Sequence, residues 1–102
     1  TAVCDFNNRP DDCLELNILR WFRDNWLINQ HDGKELIEEY YRIAPKIVEK
    51  INNEKNHESI YKNIETVYIN KCIKHIEQKE YFAAKMLYIE MVNHLIKLIK
   101  IL

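Results

Sequence analysis

A single glycine, Gly33, and two prolines, Pro10 and Pro45, punctuate a chain of 102 residues. Strand-rich folds need many tight turns, and tight turns draw on these residue types. So few breakers leave helices as the natural secondary structure. Hydrophobic residues make up 47% and charged residues 30% of the chain, a balance that favours a folded soluble protein over a disordered one. The length suits one domain with a modest core, burying roughly two thirds of the unfolded surface. The expected fold class is therefore all-α, a single small domain over residues 1–102.

Periodicity divides the chain into four to five helices. Asp12 and Glu15 have the spacing of a capping box. Leu14, Ile18, Leu19, Trp21, Phe22 and Trp26 follow at intervals dominated by three and four, which predicts a first helix from about Asp12 to Ile28. Asn29 to Asp32 is a break. Asp32 and Glu35 repeat the capping-box spacing, with Gly33 at the first helical position and Leu36, Ile37, Tyr40, Tyr41 and Ile43 behind it. Pro45 removes an amide and disfavours helix at Ala44. The reading is a kink or short break there, with a third helix restarting at Pro45 and turning Ile47, Val48 and Ile51 inward. Asn52 to Asn56 reads as a loop, with Asn56 available to cap a fourth helix from His57 to about Glu77. Its stripe is Ile60, Tyr61, Ile64, Val67, Tyr68, Cys72 and Ile76, widened by Ile69 and Ile73. Gln78 to Glu80 is a turn, and a fifth helix runs from Tyr81 to the end. Phe82, Ala83, Met86, Leu87, Met91, Val92, Leu95, Ile96 and Ile99 are its apolar positions. The stretch from Leu95 to Leu102 is apolar enough to require burial, in this domain or against a partner. The expected architecture is a half over 1–53, kinked at Pro45, packed on a C-terminal helical hairpin over 54–102. No internal repeat covers the chain.

The formal net charge of −1 leaves no basic excess to neutralise phosphates, so no nucleic-acid partner is expected. No run of 18 apolar residues is present, which argues against a membrane span. No signal peptide is visible, and a cytoplasmic location is expected. The chain opens on Thr1 rather than Met, which reads as a fragment or a processed start.

Residues with chemical potential are sparse. Cys4, Cys13 and Cys72 are an odd number for a disulfide framework. A Cys4–Cys13 bridge and three reduced thiols both remain open. Cys72 and His75 share a helix face, and with Cys4 and Cys13 they would supply the ligand number of a closed zinc site. The spacings match no known finger, so no cofactor is expected and zinc is the alternative. Glu38 and Glu39 point about 100° apart on a helix and read as a solvated face. Ser59 is the only serine, and Thr1 and Thr66 the only threonines. No catalytic residue emerges, and a chain with one glycine holds no glycine-rich phosphate loop.

The stretch with most character is Leu16 to Pro45. Arg20, Trp21, Arg23, Trp26, Tyr40 and Tyr41 are residue types that dominate interface hot spots, while the arginine stems could equally lie over core rings. These six are the candidate partner surface, for a protein partner or for homo-oligomerisation.

The run Leu19-Arg20-Trp21-Phe22-Arg23-Asp24-Asn25-Trp26-Leu27, followed by Gly33, Tyr40-Tyr41 and Ala44-Pro45, resembles the bacterial CFI-box domains, the clostridial versions in particular. Thr1-Ala2 looks like the end of the box that gives those domains their name, whose leading Cys would lie upstream. The resemblance covers Thr1 to about Ile51. It implies a helical fold and a bacterial, modular context, and supplies no reaction. The functional expectation is a non-enzymatic accessory or protein-interaction module. The alternative is a cysteine-dependent redox or metal-binding activity using Cys4, Cys13 and Cys72.

Overall fold

A computed structural model describes residues 14–101. Helix α1 spans Leu14–Asn25, and a short 3₁₀ turn, Leu27–Asn29, follows it. Helix α2 spans Gly33–Asn52. Helix α3 (His57–Ile64) runs through a π-helical turn (Glu65–Ile69) into α4 (Asn70–Glu77), with helical backbone angles at both junctions. Helix α5 spans Tyr81–Ile101. The all-α class and the C-terminal hairpin are as the sequence predicts. None of the helices among the described residues is long and apolar enough to cross a membrane.

Four local expectations are corrected. The first helix stops at Asn25, and Trp26 lies between it and the 3₁₀ turn. No separate helix restarts at Pro45, because α2 runs unbroken with Pro45 inside it. Pro45 and Tyr41, four residues back, both lie on the exposed face, so water can take the carbonyl that proline leaves without an amide. Neither Asp32 nor Asn56 caps a helix with its side chain. The Asp12–Glu15 box falls partly outside the described residues.

The hairpin turn has a defined chemistry. The Glu80 amide donates to the His75 carbonyl at 2.8 Å and the Lys79 amide to Ile76 at 3.0 Å, the paired bonds of a Schellman cap. Lys79 takes the left-handed position, with φ of 62°, where a Cβ costs about 1–2 kcal/mol. Lys79→Gly is therefore expected to stabilise the fold by about 0.5–1 kcal/mol, after allowing for the entropy of an extra glycine in the unfolded chain. A rise in the urea midpoint checks it, and a fall would show that the lysine stem contributes more than the strain costs.

The π turn has a cause in residue spacing. Ile64, Tyr68, Cys72 and Ile76 recur at intervals of four. In a regular α-helix three such steps drift about 120° off a common face. A wider turn absorbs about one extra residue and restores the alignment. The Asn70 amide accordingly donates to the Glu65 carbonyl, five residues back.

Two cores result. In the first, Ile43, Ile47 and Ile51 of α2 meet Ile64 of α3 and Met91, Val92 and Leu95 of α5. In the second, Phe22 of α1 and Leu27 of the 3₁₀ turn meet Cys72 and Ile76 of α4 and Ala84 of α5. Tyr88 packs against both, and its hydroxyl donates to the Leu36 carbonyl at 3.2 Å. The apolar end of the chain is largely accounted for within this domain. Leu95 is buried, Ile96, Leu98 and Ile99 pack against the first core, and Ile101 is exposed.

Candidate interaction surface

The aromatic stretch is set in place by a backbone junction. Leu27 is buried, and its carbonyl oxygen lies where a Cβ on Gly33 would have to go, 1.7 Å away. The same oxygen accepts the Gln30 amide at 3.0 Å, and the Gly33 amide donates to Gln30. Only glycine lets α2 begin this close to the turn. Asp32, next to it, spends its carboxylate on Lys85 of α5, whose ammonium donates at 2.8 Å. The lysine side chain is only 11% exposed. That hydrogen bond holds the Asp32 carboxyl below the usual carboxylate range, and it explains why the expected capping box stays open.

This junction lays the rings of α1 against the start of α5. Phe22 is buried and stacks on Trp26, with centroids 5.4 Å apart and planes 14° apart. Trp26 also meets Tyr81 at 5.7 Å and the edge of Phe82 at 5.2 Å. Trp21 reaches Tyr81 at 5.9 Å. The cluster is thus a graded one, with Phe22 inside, Trp26 and Tyr81 half-buried, and Trp21 and Phe82 outside. Phe82 is 68% exposed and Trp21 47%. Met86, one helical turn after Phe82, is 55% exposed. Beside the rings, a shallow groove is lined by Asn17, Ile18, Trp21, Ile76, Glu77, Lys79 and Tyr81.

The other expected surface residues separate. Arg23 forms a forked pair with Asp24, Nε to Oδ1 at 2.7 Å and Nη2 to Oδ2 at 3.1 Å. Its Nη1 donates to the Tyr41 hydroxyl, and the guanidinium lies 5.8 Å from that ring's centroid. Asp24 is thereby held below its ordinary pKa, chiefly by the Arg23 hydrogen bond. Tyr40 turns toward the first core, with its ring 6.0 Å from Tyr88, and burial raises its phenol. Arg20 is exposed beside Trp21.

Among the described residues no group of three or more His, Cys, Asp or Glu side chains is placed to hold a metal. Cys4 and Cys13 lie outside the described residues. Cys72 is buried with its thiol 3.6 Å from the Ala84 carbonyl, while His75 pairs through Nδ1 with Glu80 at 3.0 Å. Burial pushes the Cys72 thiol up from about 9 to about 11, which disfavours the nucleophilic thiolate. Alkylation of this thiol is expected to wait on opening of the fold. The same displacement predicts a pH dependence. Below about pH 9 the thiol is protonated in both states and adds nothing. Between about pH 9 and 11 only the unfolded chain releases the proton, so stability falls, by about 2–3 kcal/mol at pH 11. Denaturation of wild type and Cys72→Ala across that range checks it, and parallel profiles would refute it.

Phe82 and Met86 are among the apolar positions of the last helix, and the structure places both outside. From Ala84, they sit about 160° away on either side, opposite the buried Ala84, Met91 and Leu95. A signal was available in the intervals, because Ala84, Tyr88, Met91 and Leu95 form one complete stripe without them. No family model, curated protein or solved structure matches the chain.

Proposed function

We propose that this chain is a non-enzymatic accessory module, related to the bacterial CFI-box domains, that binds a protein partner through Trp21, Trp26, Tyr81 and Phe82. One observation carries the reading. A contiguous set of four rings crosses two helices and leaves Phe82 and Trp21 as exposed as ordinary surface residues. Large rings with a buried foundation are the anchors that interfaces favour, and exposing them together carries a cost that a partner would remove. Arg20 and Arg23 supply a polar rim of the kind such patches carry. The resemblance supports the same reading, because its matched positions include both this α1 run and the residues that hold it in place, Gly33 and Tyr41. A cysteine-dependent activity draws no support from Cys72, which is enclosed and poorly ionised.

The test places a photo-crosslinking residue at position 82, and separately at the exposed Lys62 on α3, in cells of the source organism. Crosslinks to one protein from position 82, absent from position 62 and lost in Trp21→Ala, are the expected result. Light scattering on the purified chain identifies the case in which the partner is a second copy. Equal crosslinking from both positions, or none from position 82 with a monomer at high concentration, overturns the proposal.

A further inference from the structure

The aromatic surface ends on a side chain whose chemistry differs from that of its rings. The chain has two methionines, both on α5, and the fold treats them oppositely. Met91 is 9% exposed and belongs to the first core, whereas Met86 is 55% exposed. Met86 follows Phe82 by four residues, so the two are neighbours on one helix face. Phe82 in turn meets Trp26 edge-on. A thioether thus extends the ring cluster along α5, and methionine is a residue type that interfaces favour.

Sulfur brings a reaction to this position. A lone pair on the thioether takes one oxygen of hydrogen peroxide. The S–O bond forms as the O–O bond breaks, and the second oxygen leaves as water. Sulfur gives up two electrons, and the peroxide accepts them. The product is a polar sulfoxide where the side chain was apolar. A dithiol-dependent reductase reverses the step, its two thiols becoming a disulfide while the oxygen leaves as water. Cys72 does not compete for the oxidant, because it is buried and its thiol stays protonated. Fold and surface respond differently to the added oxygen. At Met86 it stands in water and displaces no core packing, but under a bound partner it would lose that water amid apolar contacts. Resting on the protein-binding role assigned to this surface, we propose that Met86 is a reversible oxidation site. Hydroperoxide converts its thioether to the sulfoxide and releases the partner, and methionine sulfoxide reductase restores binding.

The test has two arms. In the first, the purified full chain is treated with hydrogen peroxide, and the added oxygen is mapped by peptide mass spectrometry. Met86 is expected to oxidise at least about tenfold faster than Met91 in the folded chain, and at a similar rate once urea opens the fold. The urea midpoint is expected to be the same before and after oxidation of Met86. In the second arm, the chain with the photo-crosslinking residue at position 82 is added, reduced or oxidised, to extract of the source organism. Crosslinking at limiting chain concentration is expected to fall about tenfold on oxidation, the factor for one polar oxygen left without a donor. It is expected to return after treatment with reductases for both sulfoxide epimers. In Met86→Leu, peroxide is expected to leave the crosslink unchanged. That variant retains Cys4, Cys13 and Cys72, so it separates their oxidation from that of Met86. Equal oxidation of the two methionines in the folded chain, undiminished crosslinking by the sulfoxide, or a peroxide effect that persists in Met86→Leu overturns the inference alone. No crosslink from the reduced chain overturns the protein-binding role and the inference with it.

Discussion

Gly33→Ala is expected to destabilise the fold by about 3 kcal/mol or more, enough to leave a domain of this size marginal. Helix propensity alone points the other way, since alanine gains close to 1 kcal/mol over glycine inside a helix. The clash decides the sign. The new methyl would sit 1.7 Å from the Leu27 carbonyl oxygen and 2.8 Å from its carbon. Both are backbone atoms, so no side-chain rotation relieves the overlap. The oxygen cannot retreat freely either, because it accepts the Gln30 amide, and Leu27 is 1% exposed in the second core. Separating α2 from the turn means lifting Leu27 from that core or breaking the turn. Urea denaturation measures the loss, and hydrogen exchange at the Gln30 amide locates it. A midpoint at or above that of wild type would show that α2 can slide without cost.

Phe22→Ala is expected to cost about 3–5 kcal/mol, the range for removing a buried ring. Phe22 is 3% exposed and supports Trp26 on one side and Tyr81 on another. Without it the half-buried rings lose their floor, and tryptophan emission should shift to the red in the folded state. Trp21→Ala, one position earlier, is expected to cost less than about 1 kcal/mol, because that ring is half in water already. The contrast matters beyond stability. It separates a ring that holds the surface together from one that is free to meet a partner. Equal losses for the two would make Trp21 a core residue and remove the surface argument.

Much of this arrangement was legible in the residues. The helices from His57 and from Tyr81 begin where the pattern puts them, because amphipathic spacing and a polar turn are local signals. Gly33 was placed at the start of a helix. The reason for it, a carbonyl from six residues earlier, is a tertiary contact with no local trace. Asp32 shows the same limit. Its spacing to Glu35 promised a cap, but Lys85, far along the chain, takes the carboxylate. A buried lysine is also hard to foresee, since its long polar side chain reads as surface.

The absence of a restart at Pro45 and the outward residues of the last helix have different roots. Proline in a helical pattern is compatible with a kink or a short break, and on a solvent-facing side of α2 the missing hydrogen bond can be made to water, so the helix continues. Helix α5 is apolar on most sides, so periodicity had little contrast with which to tell Phe82 and Met86 from Met91 and Leu95. The candidate surface was accordingly half legible. Trp21 and Trp26 were named from sequence, and Tyr81 and Phe82 came only from the packing of α5 across α1. The π turn was missed because fourfold spacing was read as ordinary helix.

That turn also bears on how the chain tolerates changes in length. The continuous helix from α3 to α4 carries about one residue more than an α-helical path between its two cores requires. A deletion inside Glu65–Ile69 would remove this surplus, convert the segment to plain α-helix and keep Ile64 in phase with Cys72 and Ile76. The same deletion one turn before or after would instead rotate a core stripe by about 100°. Length variation among related sequences is therefore expected to concentrate in these five residues.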